Sequence, residues 1–323
     1  METIKFIDLF CGIGGFRQAM DEVCYENDII SNCVFSSDID DACRYSYEAN
    51  FGEFPVGDIT KVSEKDIPDH DILFAGFPCQ PFIIIGQRKG FEDIRGTLFF
   101  DIARILKEKQ PKAFVLENVK QLVGHNKGQT LKVILNTLKE LGYHVQYAVL
   151  NALDYGLPQK RERIIIVGHR QPIVFSYPTP VRPFKPLSEV LETKVDKKHF
   201  VSNYILQKRK AKHKSAYKLS IWHENKAGNI CSYPYSCALR AGASYNYLLV
   251  NGERRLTPRE MFRLQGFPDS YKIINDSQAR KQAGNAVPVN IVKAVILKLL
   301  PYVAKTMDKS SVLFEYDLKN GTK

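Results

Sequence analysis

The chain of 323 residues is 44% hydrophobic and 25% charged, the balance of a soluble globular protein, which excludes a mostly disordered chain, a collagen-like repeat and a membrane bundle. No apolar run approaches the roughly 20 residues needed to span a bilayer, the N-terminus has no signal-peptide layout, and seven cysteines without metal-ligand spacing favour a reducing, cytoplasmic setting over a disulfide framework. Net charge is +11 and unevenly placed: residues 1–180 carry −4, residues 181–255 carry +10 and residues 256–323 carry +5, which points to a polyanionic partner, DNA or RNA, for the second half.

From the N-terminus, short apolar runs alternate with helix-length stretches, predicting an α/β domain with a parallel sheet and crossover helices. Strands are expected at Lys5–Phe10, Cys33–Ser37, Ile72–Gly76, Ala113–Glu117, Tyr143–Leu150 and Arg163–Gly168. Helices are expected at Gly15–Val23, Asp41–Asn50, Leu98–Lys109 and Thr130–Leu141, the last with Leu131, Ile134, Leu135 and Leu138 at helical spacing. Prolines at 172, 178, 180, 183 and 186 mark a linker into a basic, tyrosine-rich region. Helical character returns at Thr257-Pro258-Arg259-Glu260, with proline at the first helical position. The domain reading is a catalytic, cofactor-binding domain over 1–177, a smaller, mostly irregular or β domain over 178–272, and a segment over 273–323 that returns to the first.

Chemistry-bearing residues gather near the expected ends of the strands. Phe6–Phe10 runs into Cys11-Gly12-Ile13-Gly14-Gly15, a glycine turn that lets a ligand approach the backbone. Position 17 is Arg, so the dinucleotide fingerprint is incomplete and a thiol-dependent nicotinamide enzyme is disfavoured. Asp38 and Asp58 follow later elements; either alone reads as a cap, but together with the glycine turn they suggest an adenosine-bearing cofactor. Gly76-Phe77-Pro78-Cys79-Gln80-Pro81-Phe82 sets a thiol between two prolines, where it can be exposed and activated. Glu117-Asn118-Val119 emerges at the same sheet edge, and Gln159-Lys160-Arg161-Glu162-Arg163 places two arginines at strand spacing.

With these blocks in order, the chain resembles the DNA (cytosine-5) methyltransferases in their compact bacterial, restriction-modification form, over nearly its whole length. Arg254–Pro268 is similar to the late motif that supports the recognition domain, and Gln282–Pro288 to the final Gly-Asn block. The resemblance implies a Rossmann-like S-adenosylmethionine-dependent domain with a target-recognition domain. It implies that Cys79 adds to C6 of a flipped-out cytosine, that Glu117 bonds N3 and N4, and that Arg163 holds O2 with Arg161 on a phosphate or a neighbouring loop. For S-adenosyl-L-methionine it implies contacts from Phe10, Gly12, Gly14, Asp38, Ile39, Asp58, Ile59, Pro78, Leu98 and Asn285. DNA contacts are expected from Gln80, Arg88, Lys89, Arg240 and Asn246, and phosphate contacts from the run Lys208-Arg209-Lys210 and from Lys212 and Lys214. The implied partner is double-stranded DNA with a short, palindromic site, met by a monomer, with a cognate restriction enzyme linked functionally but not bound.

One departure stands out: the family usually has serine after Pro-Cys-Gln-Pro-Phe, and here Ile83-Ile84-Ile85 follows Phe82. A β-branched trio stiffens that loop and removes a hydroxyl, so weakened DNA engagement or loop closure is expected. Rival readings are a tRNA cytosine-5 methyltransferase on the same motifs and a catalytically silent, sequence-specific DNA-binding relative.

Overall fold

The structure is a computed structural model that describes residues 1–78, 98–171, 174–181 and 183–304. Cys79, Gln80, Ile83, Arg88 and Lys89 lie outside the described residues.

The chain divides into two compact units, one of residues 1–150, 162–179 and 291–323, the other of 151–161 and 180–290. In the first unit, β1 (Thr3–Leu9), α1 (Gly15–Glu26), β2 (Ile30–Ser37), α2 (Asp41–Phe51), β3 (Ile72–Gly76), α3 (Leu98–Lys109), β4 (Ala113–Val119), α4 (Gln129–Glu140) and β5 (His144–Asn151) follow in order. Next come the two-residue β6 (Gln159–Lys160), in the second unit, and β7 (Glu162–His169), back in the first. The sheet order is β2-β1-β3-β4-β7-β5. Pairings β1–β2, β1–β3 and β3–β4 are parallel, as crossover helices require.

The expectation of a wholly parallel sheet is corrected at β7, which runs antiparallel to β4. No helix-length crossover separates β5 from β7, so the chain turns back instead of returning to the same edge. Strands β3 and β4 are buried along almost their full length, and Leu73, Phe114, Leu116, Ile134 and Ile164 share one hydrophobic core with α3 and α4. Asp40 starts α2 by accepting the Ala42 N–H at 3.0 Å.

The second unit holds α5 (Asn203–Lys212), β8 (Ile221–Glu224), β9 (Ile230–Tyr233), β10 (Ser236–Cys237), β11 (Leu248–Val250), α6 (Pro258–Leu264) and α7 (Asp276–Asn285). Helix α8 (Val289–Val303) begins at its end and runs on in the first unit. Strands β11-β8-β9 form an antiparallel sheet and β6 pairs with β10. Thr257 and Glu260 close α6 with a reciprocal capping box over Pro258. This division departs from the sequence-based boundaries at 177/178 and 272/273: the second unit also takes 151–161 and keeps α7.

Candidate active site

Past β1 the backbone turns sharply, Phe10 and Gly12 both having φ 54°, before α1 begins. The Asp38 carboxylate, just past β2, accepts the Gly12 N–H at 2.8 Å and the Asp40 N–H at 2.8 Å. Cys11 donates its N–H to Ser37 O at 3.0 Å, so the two strand ends are tied twice. A Cβ on Gly12 would meet no atom within 4 Å, which leaves an open cradle above the turn. Ile39, 76% exposed, stands beside Asp38 as a bare apolar side chain. An open turn, a carboxylate at its mouth and an apolar flank suit a ligand carrying sugar hydroxyls and a flat ring. S-adenosylmethionine fits that description.

The other expected cofactor residues are placed less uniformly. Asp58 is half-buried, and its hydrogen bonds from Thr60 Oγ1 (2.7 Å) and N–H (3.0 Å) hold its carboxyl below the usual carboxylate range. Ile59 is only 3% exposed, its side chain packed into the hydrophobic core. Gly14 caps α1, Pro78 is exposed after β3, and Leu98 opens α3 half-buried. Asn285 is exposed at the end of α7, in the second unit.

Of the reacting groups expected on the first unit, Glu117 and Arg163 come together. Parallel pairing of β3 with β4 sets Gly76 opposite Glu117, so the chain leaves β3 toward Cys79 beside that carboxylate. Antiparallel pairing of β4 with β7 sets Val119 opposite Arg163, which makes Glu117 and Arg163 diagonal neighbours on one face. Arg163 Nε lies 2.7 Å from Glu117 Oε1, with the two side chains 14% and 10% exposed. In so little water the attraction between opposite charges is little screened, which holds the two side chains against each other.

Asn118, missed as a functional candidate although the sequence prints it beside Glu117, faces the other way and is 2% exposed. Its Nδ2 donates to Phe77 O at 2.9 Å, anchoring the backbone two residues before Cys79. Asp8 was also missed. It is fully buried in β1, where burial pushes its pKa well up, the Arg17 charge pulls it back, and Glu53 and Asp38 raise it further. An acid inside the apolar run Phe6–Phe10 was the available signal.

Arg161 does not stand with Arg163. It is 1% exposed, and its guanidinium donates to Leu239 O (2.8 Å), Gly284 O (2.9 Å) and Ala286 O (2.8 Å). A group so enclosed cannot reach a DNA phosphate; of the two expected roles, the contact is with neighbouring loops, and the catalytic assignment is corrected to a positioning one. It fixes both carbonyls that flank Asn285. Gly284 is glycine because a Cβ there would lie 2.4 Å from Ala241 N. Among the expected base readers, Arg240 is exposed with its guanidinium 5.0 Å from the centre of the Tyr247 ring. Asn246 is half-buried and its Oδ1 already accepts from Arg255 Nε at 2.9 Å.

The family model described as C-5 cytosine-specific DNA methylase matches residues 4–300. The chain is 58% identical over 294 residues to Type II methyltransferase M.NgoBI of Neisseria gonorrhoeae, covering 90% of this chain and 91% of that protein. It is 53% identical over 299 residues to Type II methyltransferase M.HaeII of Haemophilus aegyptius, covering 91% and 92%. Among solved structures, the Entamoeba histolytica methyltransferase EhMeth superposes with a TM-score of 0.72 at 18% identity, over 94% of this chain and 100% of that one, a likeness of fold. The tRNA reading is not favoured by these matches. With the family model spanning nearly all of both units, the chain belongs to the C-5 cytosine-specific DNA methylase family and is a DNA cytosine-5 methyltransferase that takes its methyl group from S-adenosylmethionine.

Proposed function

We propose that the chain methylates a cytosine turned out of a short duplex site, with Cys79 as nucleophile and Glu117, Arg163 and the Phe77 carbonyl holding the base. The observation that carries this reading is the enclosed Glu117–Arg163 pair at 2.7 Å, beside the strand end that leads to Cys79.

Cytosine C5 is a weak nucleophile, and addition of the Cys79 thiolate to C6 turns C5 into an enamine-like carbon. Glu117 hydrogen-bonds N3 and the N4 amine and balances charge as it develops. Arg163 orients Glu117 and holds O2, and Asn118 fixes the Phe77 carbonyl, which has a second lone pair for the N4 amine. The bound cofactor supplies an electrophilic methyl group to C5. A base then removes the C5 proton, and the electron pair left behind expels the Cys79 sulfur. Phe10, Gly12, Gly14, Asp38, Ile39, Asp58, Pro78, Leu98 and Asn285 remain the cofactor contacts in this reading; Ile59 contributes through its backbone.

The DNA is a short palindromic site met by a monomer in the bacterial cytoplasm, and the modification protects that site from a cognate restriction enzyme. Gln80, Arg88 and Lys89 contact the DNA from the catalytic loop, and Arg240 from the second unit. Mapping 5-methylcytosine in DNA from cells expressing the chain tests this: one short motif is expected to carry the mark. Cys79→Ser should abolish it, and an unchanged rate would refute the covalent route. Ile83→Ser should raise turnover or DNA affinity if the missing hydroxyl weakens loop closure.

A further inference from the structure

The basic run in α5 is one run in the sequence and two faces in the structure. Residues 204, 208 and 212 recur at four-residue steps, so Tyr204, Lys208 and Lys212 line one side of the helix. All three are exposed, as are Gln207 and Ala211 between them. Tyr204 is 72% exposed, and Lys208 Nζ lies 5.8 Å from the centre of its ring. Lys214 and Lys218 are exposed just past the helix. The stripe covers about 12 Å at 1.5 Å per residue, enough to face successive phosphates of one strand.

Arg209 points the other way. It is 2% exposed, one of few charged side chains buried to that degree among the described residues. Its Nη2 lies 2.5 Å from Glu224 Oε2 on β8 and donates to the Asn246 carbonyl. His213, one turn on, bonds Ser232 Oγ at 2.8 Å and sits edge-on to Trp222. The inner face of α5 is thus locked to the small antiparallel sheet and to the backbone of the loop that holds Arg240 and Tyr245. Other arginines hold the same loop: Arg161 at Leu239 O, Arg280 at Ala243 O, Arg255 at Asn246 Oδ1.

We propose that α5 docks on the DNA phosphate backbone through Tyr204, Lys208, Lys212 and Lys214, and that Arg209 is the positioning residue that sets the reading loop in register with the docked helix. The inference rests on the DNA reading above. Phosphate contacts carry affinity and register without sequence information, and base contacts carry specificity. A rigid link between the two lets the first place the second.

The test measures binding of the full-length protein to a methylatable duplex and to one with a single base pair changed, across a salt series. Replacing Lys208, Lys212 and Lys214 together by alanine should lower affinity for both duplexes by the same factor and flatten the log–log salt slope by about 2 to 3. An unchanged slope overturns the docking role. Arg209→Ala and Arg209→Lys, with melting temperature recorded alongside, should narrow the preference for the methylatable duplex about tenfold, because neither keeps the planar fork. A lower melting temperature with an unchanged preference overturns the positioning role. Failure of the unaltered chain to methylate DNA would count against the proposed function instead and is read separately.

Discussion

Glu117 and Arg163 are the smallest unit on which the proposed chemistry rests. Each is nearly sealed from solvent and each is the other's counter-charge at 2.7 Å. Glu117→Gln keeps the shape and removes the charge, so methyl transfer should slow by about 10²–10⁴ while DNA binding changes little; single-turnover kinetics on a pre-bound duplex would measure it. Glu117 was legible as a strand-end group because it follows an apolar run; Arg163 precedes one, and reaches the same edge only because β7 runs antiparallel to β4. For Asp8 the one signal was an acid inside an apolar run, which marks the residue but says nothing of what surrounds it. Burial raises its folded pKa above the unfolded value of about 3.9. The folded chain then holds a proton that the unfolded chain has lost, and stability falls as pH rises from about 4 through the folded pKa. Asp8→Asn lacks that loss, so its melting temperature should gain on the unaltered chain between pH 5 and pH 8. A constant difference would contradict the assignment.

At the scale of elements, one side-chain bond joins two strands' ends at the site. Asn118, at the end of β4, holds Phe77 O just past β3. Asn118→Ala leaves that carbonyl unpartnered and should cost about 1–3 kcal/mol of stability, seen in denaturant unfolding, with turnover falling as well. Gly284→Ala should also be costly, about 1–3 kcal/mol, because the added Cβ meets Ala241 backbone rather than a movable side chain. The first-unit strands and helices were readable to within a few residues from alternation of apolar runs. The reversal at β7 was not, since its antiparallel course depends on what the preceding segment lacks. In α5 the composition was legible and its consequence was not: three consecutive cations look alike until helical geometry turns Arg209 inward.

At the scale of the molecule, charge and the proposed roles divide along the same lines. The stretch 181–255, with 15 basic and 5 acidic side chains, lies wholly in the second unit. DNA affinity should therefore fall linearly on a log–log salt plot; methyl transfer from pre-formed complexes should resist the same salt, since the Glu117–Arg163 pair is little exposed. A filter-binding series run beside single-turnover rates would separate the two. The division into two units was legible as a change in composition near residue 175. The excursion of residues 151–161 into the second unit was not, because eleven residues of ordinary composition carry no mark of where they pack.

The loop of residues 239–246, the proposed reading loop, is held chiefly by its main chain. Arg161, Arg209 and Arg280 grip the carbonyls of Leu239, Asn246 and Ala243, and every amino acid supplies the same carbonyl. The outward side chains can therefore be exchanged while the scaffold beneath them stays put. Such an arrangement favours divergence: descendants of one ancestral enzyme can acquire new target preferences by swapping a few tips, without first having to rebuild the mount.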